Sequence, residues 1–250
     1  MARESRRTPF TGSAFVRSLA ALTDLPAPAS KDAFAERLCR WFDWTHAIAL
    51  SSTLNGPAAP ATGPGAPPSA HVDEREYHRV RATLVKAITA LPEATAPPAR
   101  HSASATPTVP VPALGFAPHR QHYLARQQAM DAAIGPLRRR VRATLAGASP
   151  AMARLAAVDA IMEQVVGPKE RTLLSAVPAS LERHFDRLCP GRPEAPADPS
   201  ALSETPPSDA WLDRFRQDLQ GLLLAELDFR LQPVEGLLEA LRRSSTDRHE

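Results

Sequence analysis

The sequence predicts an all-α fold, a helical bundle of long, kinked amphipathic helices with Pro/Ala-rich disordered linkers, and three observations lead there. Of 250 residues, 45 are alanine and 5% are aromatic. Alanine is the best intrinsic helix former and adds little buried area, so the composition favours helices over a large, tightly packed core. The 26 prolines are bunched, five in 57–68, seven in 92–118 and six in 190–207. Between the bunches, apolar residues recur every three or four positions, and no alternating strand pattern occurs.

Taken in order, Thr11 or Ser13 can cap a short helix that carries Phe15, Val16, Leu19 and Leu22 and stops before Pro26. A second helix starts near Ser30. Phe34, Leu38, Trp41, Thr45 and Ile48 step by four, three, four and three, which puts them on one face of a continuous helix. Asn55-Gly56 closes this N-terminal segment, 1–56, and residues 57–70 have nothing to bury and read as linker. A single helix fills 71–91, with Val80, Leu84 and Ile88 as its stripe. The Pro-rich stretch 92–118 is too long a gap for one compact core, so either two helical subdomains exist or an N-terminal pair docks on a C-terminal bundle.

The kinked helical region 119–189 has the clearest pattern. Tyr123, Gln127, Met130, Ile134, Leu137, Val141 and Leu145 lie within a stripe roughly 80° wide at 100° per residue. The stripe keeps its phase across Gly135-Pro136, which favours a kinked or abutting helix over a loop. Leu155, Val158, Met162 and Val166 then lead through Gly167-Pro168 to Leu173, Val177, Leu181 and Leu188. After the 190–207 linker, Ser208 or Asp209 caps a C-terminal amphipathic helix over 208–243, followed by a 244–250 tail. It carries Leu212, Phe215, Leu219, Leu222, Leu231, Val234, Leu238 and Leu241, with Gln232-Pro233 as another kink. Ile134-Gly135-Pro136 with Arg139 has an echo in Val166-Gly167-Pro168 with Arg171, 32 residues later, a spacing that coincidence can produce in so Ala/Arg-rich a chain.

Net charge is +3, and arginine outnumbers lysine 27 to 3. With the alanine and proline excess, that ratio reads as coding bias rather than as a nucleic-acid signature. Cys39 and Cys189 stand in no ligand spacing and read as reduced thiols of a cytoplasmic protein. No apolar run approaches the roughly 20 residues that span a bilayer. Phosphate-loop, dinucleotide, nucleophile-elbow and zincin motifs are all absent.

The stretch Arg7-Thr8-Pro9-Phe10-Thr11-Gly12-Ser13, then Phe34-Ala35-Glu36-Arg37-Leu38 and Trp41 through Asn55, resembles an uncharacterised proteobacterial family of about this length, the domain of unknown function 3348 family. The resemblance implies a bacterial, cytoplasmic protein that meets a partner rather than a substrate. It transfers no catalytic residue.

Candidate chemistry is sparse. His119 and His122, or Glu74 and His78, share helix faces, but no second Glu-x-x-His completes a di-metal bundle, so no metal or other cofactor is expected. His184 lies between Leu181 and Leu188 and reads as a satisfied boundary histidine. Arg138, Arg139, Arg140 and Arg142 fan around one helix without aromatic interleaving. The C-terminal helix is acidic on its expected outer face, at Asp213, Asp218, Glu226, Asp228, Glu235 and Glu239, so the two helices are expected to pair. Trp44 falls off the stripe centre between Arg37 and Arg40. It either seals a core edge or anchors a partner, since Trp and Arg are frequent in interface hot spots. The leading expectation is a non-enzymatic helical interaction or assembly module using Trp44, Arg37 and Arg40. It would bind another protein or a second copy through amphipathic helices. The alternatives are a nucleic-acid-associated protein using the Arg-rich helix 136–145 and an enzyme of unrecognised type.

Overall fold

The structure, a computed structural model, describes residues 13–23, 34–56, 70–90, 115–189 and 210–246. Among them 93% are helical and none is in a strand. The helices are α1 (Ala14–Thr23), α2 (Phe34–Trp41), α3 (Trp44–Asn55), α4 (Ala70–Thr89), α5 (Ala117–Ala148), α6 (Pro150–Leu174), α7 (Val177–Leu188) and α8 (Ala210–Thr246). Of the linker readings 57–70, 92–118 and 190–207, residues 57–69, 92–114 and 190–207 lie outside the described residues. Ala70, however, already belongs to α4, Phe116 is buried, and Ala117 and Pro118 open α5, where a proline at the first turn suits a helix start.

The long helices form where their stripes require burial. All seven residues of the α5 stripe, from Tyr123 to Leu145, are buried. Pro136 sits inside α5, Pro168 inside α6 and Pro233 inside α8. Each proline removes one backbone donor and each helix nevertheless continues, because packing on either side outweighs the lost turn. Ser149 alone separates α5 from α6. Its extended backbone turns the chain, its hydroxyl accepts from the Met152 N–H at 3.2 Å, and Pro150 opens the next helix. The result is an antiparallel hairpin whose seam is lined by Ala143, Ala146, Ala153, Ala156, Ala157 and Ala160.

That seam corrects the reading of α6. Its buried positions are Ala156 and Leu174, one residue after the expected Leu155 and Leu173, and Ile161 and Val165, one residue before the expected Met162 and Val166. Leu155 and Leu173 are instead 39% and 67% exposed. Ala156 packs inward where the larger Leu155 does not, while Ala143 and Ala157 stay exposed along the open side of the seam.

Helix α8 is the central element, touched by α1, α4, α5, α6 and α7. It therefore buries a wide arc that includes Phe215, Leu219, Leu222, Leu223, Leu227 and Leu231. Each fully buried leucine contributes on the order of 1.5–3 kcal/mol of transfer free energy. Ties from Gln127 to Glu226 and from Asp131 to Arg230 both join residues 99 apart, so α8 runs parallel to α5. Helix α4 runs antiparallel to α8, through Tyr77–Glu235 at 2.5 Å and Arg242–Glu74 at 2.5 Å. Tyr77 is pushed up to about 12, by burial first and then by its bond to Glu235. Phe15 of α1 stacks on Phe229 with ring centroids 5.8 Å apart, and α1, α4, α5, α6, α7 and α8 share one hydrophobic cluster. At one end Phe116, Phe185, Trp211 and Phe215 concentrate the few aromatics, with Phe185 and Phe215 edge-to-face at 5.0 Å.

The N-terminal segment departs from expectation. Helix α2 ends at Trp41, and Asp43 adopts extended backbone angles and caps α3, accepting from the His46 N–H at 2.8 Å. That bond holds the Asp43 carboxyl below its usual range. Local capping outcompeted a continuous helix, which splits the expected stripe. Trp41 is half-buried rather than core, and Ile48 is 49% exposed.

Candidate functional site

The middle of the bundle holds a buried polar network. Glu226, 0% exposed, accepts from the Tyr123 hydroxyl, from Gln127 Nε2 at 3.0 Å and from Arg230 Nε at 2.8 Å. Gln127 also donates to the Leu174 carbonyl at 3.3 Å, satisfying an orphan acceptor at the end of α6. Arg230 continues to Asp131 at 2.5 Å. The order follows from helical spacing: Tyr123, Gln127 and Asp131 stand at successive turns of α5, opposite Glu226 and Arg230 one turn apart on α8. Burial and the Glu226 charge push the Tyr123 hydroxyl far above its ordinary range. Burial acts to lower the Arg230 guanidinium, but Glu226 and Asp131 outweigh it and hold the group charged. Every group in the network has a partner, so it specifies helix register.

Beyond Arg230 the network opens into a cavity of about 460 Å3 between α5, α6 and α8. Gly135 on α5, Gly167 on α6 and Pro233 on α8 all line it. The Gly-Pro echo thus has a structural counterpart: antiparallel pairing of α5 and α6 brings the two copies to one level. Arg139 and Arg171, each four residues past its glycine, also line the cavity. A Cβ built on either glycine would meet its own helix's arginine Nη1, at 3.5 Å for Gly135 and 4.0 Å for Gly167.

Glu170 faces the same cavity, among Arg230, Arg138, Asp131 and Glu226. Burial raises its pKa above the ordinary 4.5, against the pull of Arg230 and Arg138. A raised folded-state pKa means that the folded protein holds this proton more tightly than the unfolded chain. The contribution to stability is complete below about 4.5 and is lost as pH rises through the folded value. Glu170→Gln should therefore raise the melting temperature at pH 7 relative to wild type and leave it nearly unchanged at pH 4, measured by thermal denaturation at both values.

The arginines singled out in the sequence divide. Arg138 meets Asp159 at 2.6 Å and Arg142 meets Glu163, with their side chains 15% and 14% exposed. Arg140 lies 3.6 Å from Glu76 of α4. The expected packing of the Arg-rich helix on α8 is present, but these arginines meet acidic residues of α6 and α4 rather than those of α8. Glu226, assigned to the outer face of α8, is the most buried carboxylate of the network. Arg139 makes no ion pair or hydrogen bond among the described residues.

Trp44 opens α3 and is 80% exposed. Ile48, one turn on, is also exposed, and α3 buries no residue, resting on α6 with Arg154 Nη2 donating to the Gly56 carbonyl at 3.0 Å. Arg40 is exposed on α2, across the helix break from Trp44, and the Arg37 side chain lies outside the described residues. The flanking of Trp44 by Arg37 and Arg40 along one helix is lost with the break.

The histidines have ordinary neighbours. His119 packs on Phe215 with centroids 5.1 Å apart and is lowered by burial and then Arg216, while His122 is lowered by burial and then Arg126. His184 sits 2.9 Å from Asp218. Among the described residues no group of three His, Cys, Asp or Glu converges, Cys39 and Cys189 are free thiols, and no helix is long and apolar enough to cross a membrane. Sequence reasoning missed the Tyr123–Glu226–Arg230 network. Its signal was a single acid inside the run Leu222-Leu223-Leu224-Ala225-Glu226-Leu227, where no outward face exists. A family model described as "Protein of unknown function (DUF3348)" matches residues 1–243. No curated protein and no solved structure matches the chain.

Proposed function

Since the chain belongs to the DUF3348 family of proteins of unknown function, we propose that it is a non-enzymatic helical module that binds another protein through the Trp44 corner of α3. The observation that carries this reading is the 80% exposure of Trp44 on a helix that buries none of its own residues. Trp on a rigid element supplies a large contact area at little entropic cost, and Ile48 extends that face by one turn. The partner is a protein with an apolar pocket that takes an indole. Two free thiols suit a reducing, cytoplasmic setting. Phosphate binding along 136–145 is the weaker reading, because Arg138 and Arg142 are already engaged by carboxylates.

Replacing Trp44 with a photoreactive phenylalanine analogue tests the proposal inside cells. One dominant crosslinked protein is expected at position 44, with none at the exposed control position Arg79. Equal crosslinking at both positions, or none at 44, would refute it.

A further inference from the structure

We propose that the cavity between α5, α6 and α8 binds a small organic anion, a carboxylate or phosphate head on a short apolar body, with Arg139 and Arg171 holding the head. Its volume of about 460 Å3 falls in the range of small-molecule sites. The other two arginines that line it are occupied, Arg138 by Asp159 and Arg230 by Glu226 and Asp131. The exposed side chains of Arg139 and Arg171 have no hydrogen bond or ion pair among the described residues, and both line the same space. They come from equivalent positions of two antiparallel helices, so they approach the cavity from different walls. A planar guanidinium fork matches the paired oxygens of a carboxylate or phosphate.

The walls fit the rest of such a ligand. Ile134, Val166 and Phe229 supply apolar surface beside the polar groups. Glycine inside a helix is disfavoured, and neither Gly135 nor Gly167 is required by a close neighbour or a positive φ. What the two glycines provide is room between facing helices. Glu170 lines the same space, and burial raises its pKa against the pull of Arg230 and Arg138, so its carboxylate is held less strongly there than in water.

Calorimetric titration of the full chain with benzoate, phenyl phosphate and inorganic phosphate tests this. Benzoate or phenyl phosphate should saturate at one site, the stronger of the two identifying the head group. Inorganic phosphate, which lacks the apolar body, should bind at least tenfold more weakly. Arg139→Gln with Arg171→Gln should weaken binding at least tenfold. The charge-matched exposed pair Arg183→Gln with Arg243→Gln should change it less than twofold. Gly167→Leu should abolish it by filling the space, and if that variant fails to fold the arginine pair still decides. Absence of saturable binding by both organic probes overturns the proposal, as does wild-type affinity in the Arg139/Arg171 variant. Neither result bears on Trp44, which lies on another element.

Discussion

Arg230→Met is expected to destabilise the fold by about 3–5 kcal/mol, the usual consequence of leaving one member of a buried ion pair without its partner. Glu226 is wholly buried, and among the described residues Arg230 is the cation that contacts it, at 2.8 Å. Tyr123 and Gln127 would still donate to it, which softens the loss but cannot neutralise the charge. Tyr123→Phe removes one neutral donor and should cost only about 1–3 kcal/mol. Adding Glu226→Gln to Arg230→Met removes the stranded charge and should recover at least ~1 kcal/mol, a coupling measurable by a double-mutant cycle. Guanidinium denaturation followed by circular dichroism supplies all these values. A loss below about 1 kcal/mol for Arg230→Met would mean that Glu226 is neutral or hydrated and that the network holds nothing together.

Leu219→Asp with Leu222→Asp is expected to abolish cooperative folding. Both leucines belong to α8, at 5% and 1% exposure, and α8 is the helix that α1, α4, α5, α6 and α7 all touch. Each substitution removes apolar burial and places an unpaired carboxylate where it has no counter-ion. A domain is stable by only about 5–15 kcal/mol, and burying even one isolated charge consumes several of those. Far-ultraviolet circular dichroism and sedimentation should show loss of helix or aggregation. A variant with wild-type melting and sedimentation would place those leucines on the surface and dismiss the bundle.

How much of this could be read beforehand depended on what each residue's side chain can do. The α5 stripe was fully legible, because large apolar residues at 3.6 spacing leave only one face to bury. On α6 the same logic failed, since alanine carries little hydrophobic signal yet lets backbones approach, and Ala156 is buried where Leu155 is not. Around Trp41 two local signals competed, and the Asp43 cap won over stripe continuity. Glu226 was misplaced by the rule that charges face water, a rule suspended when Arg230, Tyr123 and Gln127 converge. The Arg138–Arg142 cluster announced acidic partners correctly in kind, but long arginine stems reach several helices and spacing cannot choose among them. Periodicity put Trp44 off the stripe centre but could not choose between a sealed core edge and an exposed anchor, because its 80% exposure depends on how α3 rests on α6.

One paired measurement on Trp44→Ala decides whether Trp44 is presented to a partner or folded into the core. Denaturant stability of the variant is compared with its affinity for the protein crosslinked at position 44. A partner anchor should show a stability change within about 0.5 kcal/mol, as for a surface substitution, and an affinity loss of about 2 kcal/mol or more. A stability loss near 3 kcal/mol with unchanged affinity would be the signature of a buried aromatic and would contradict it.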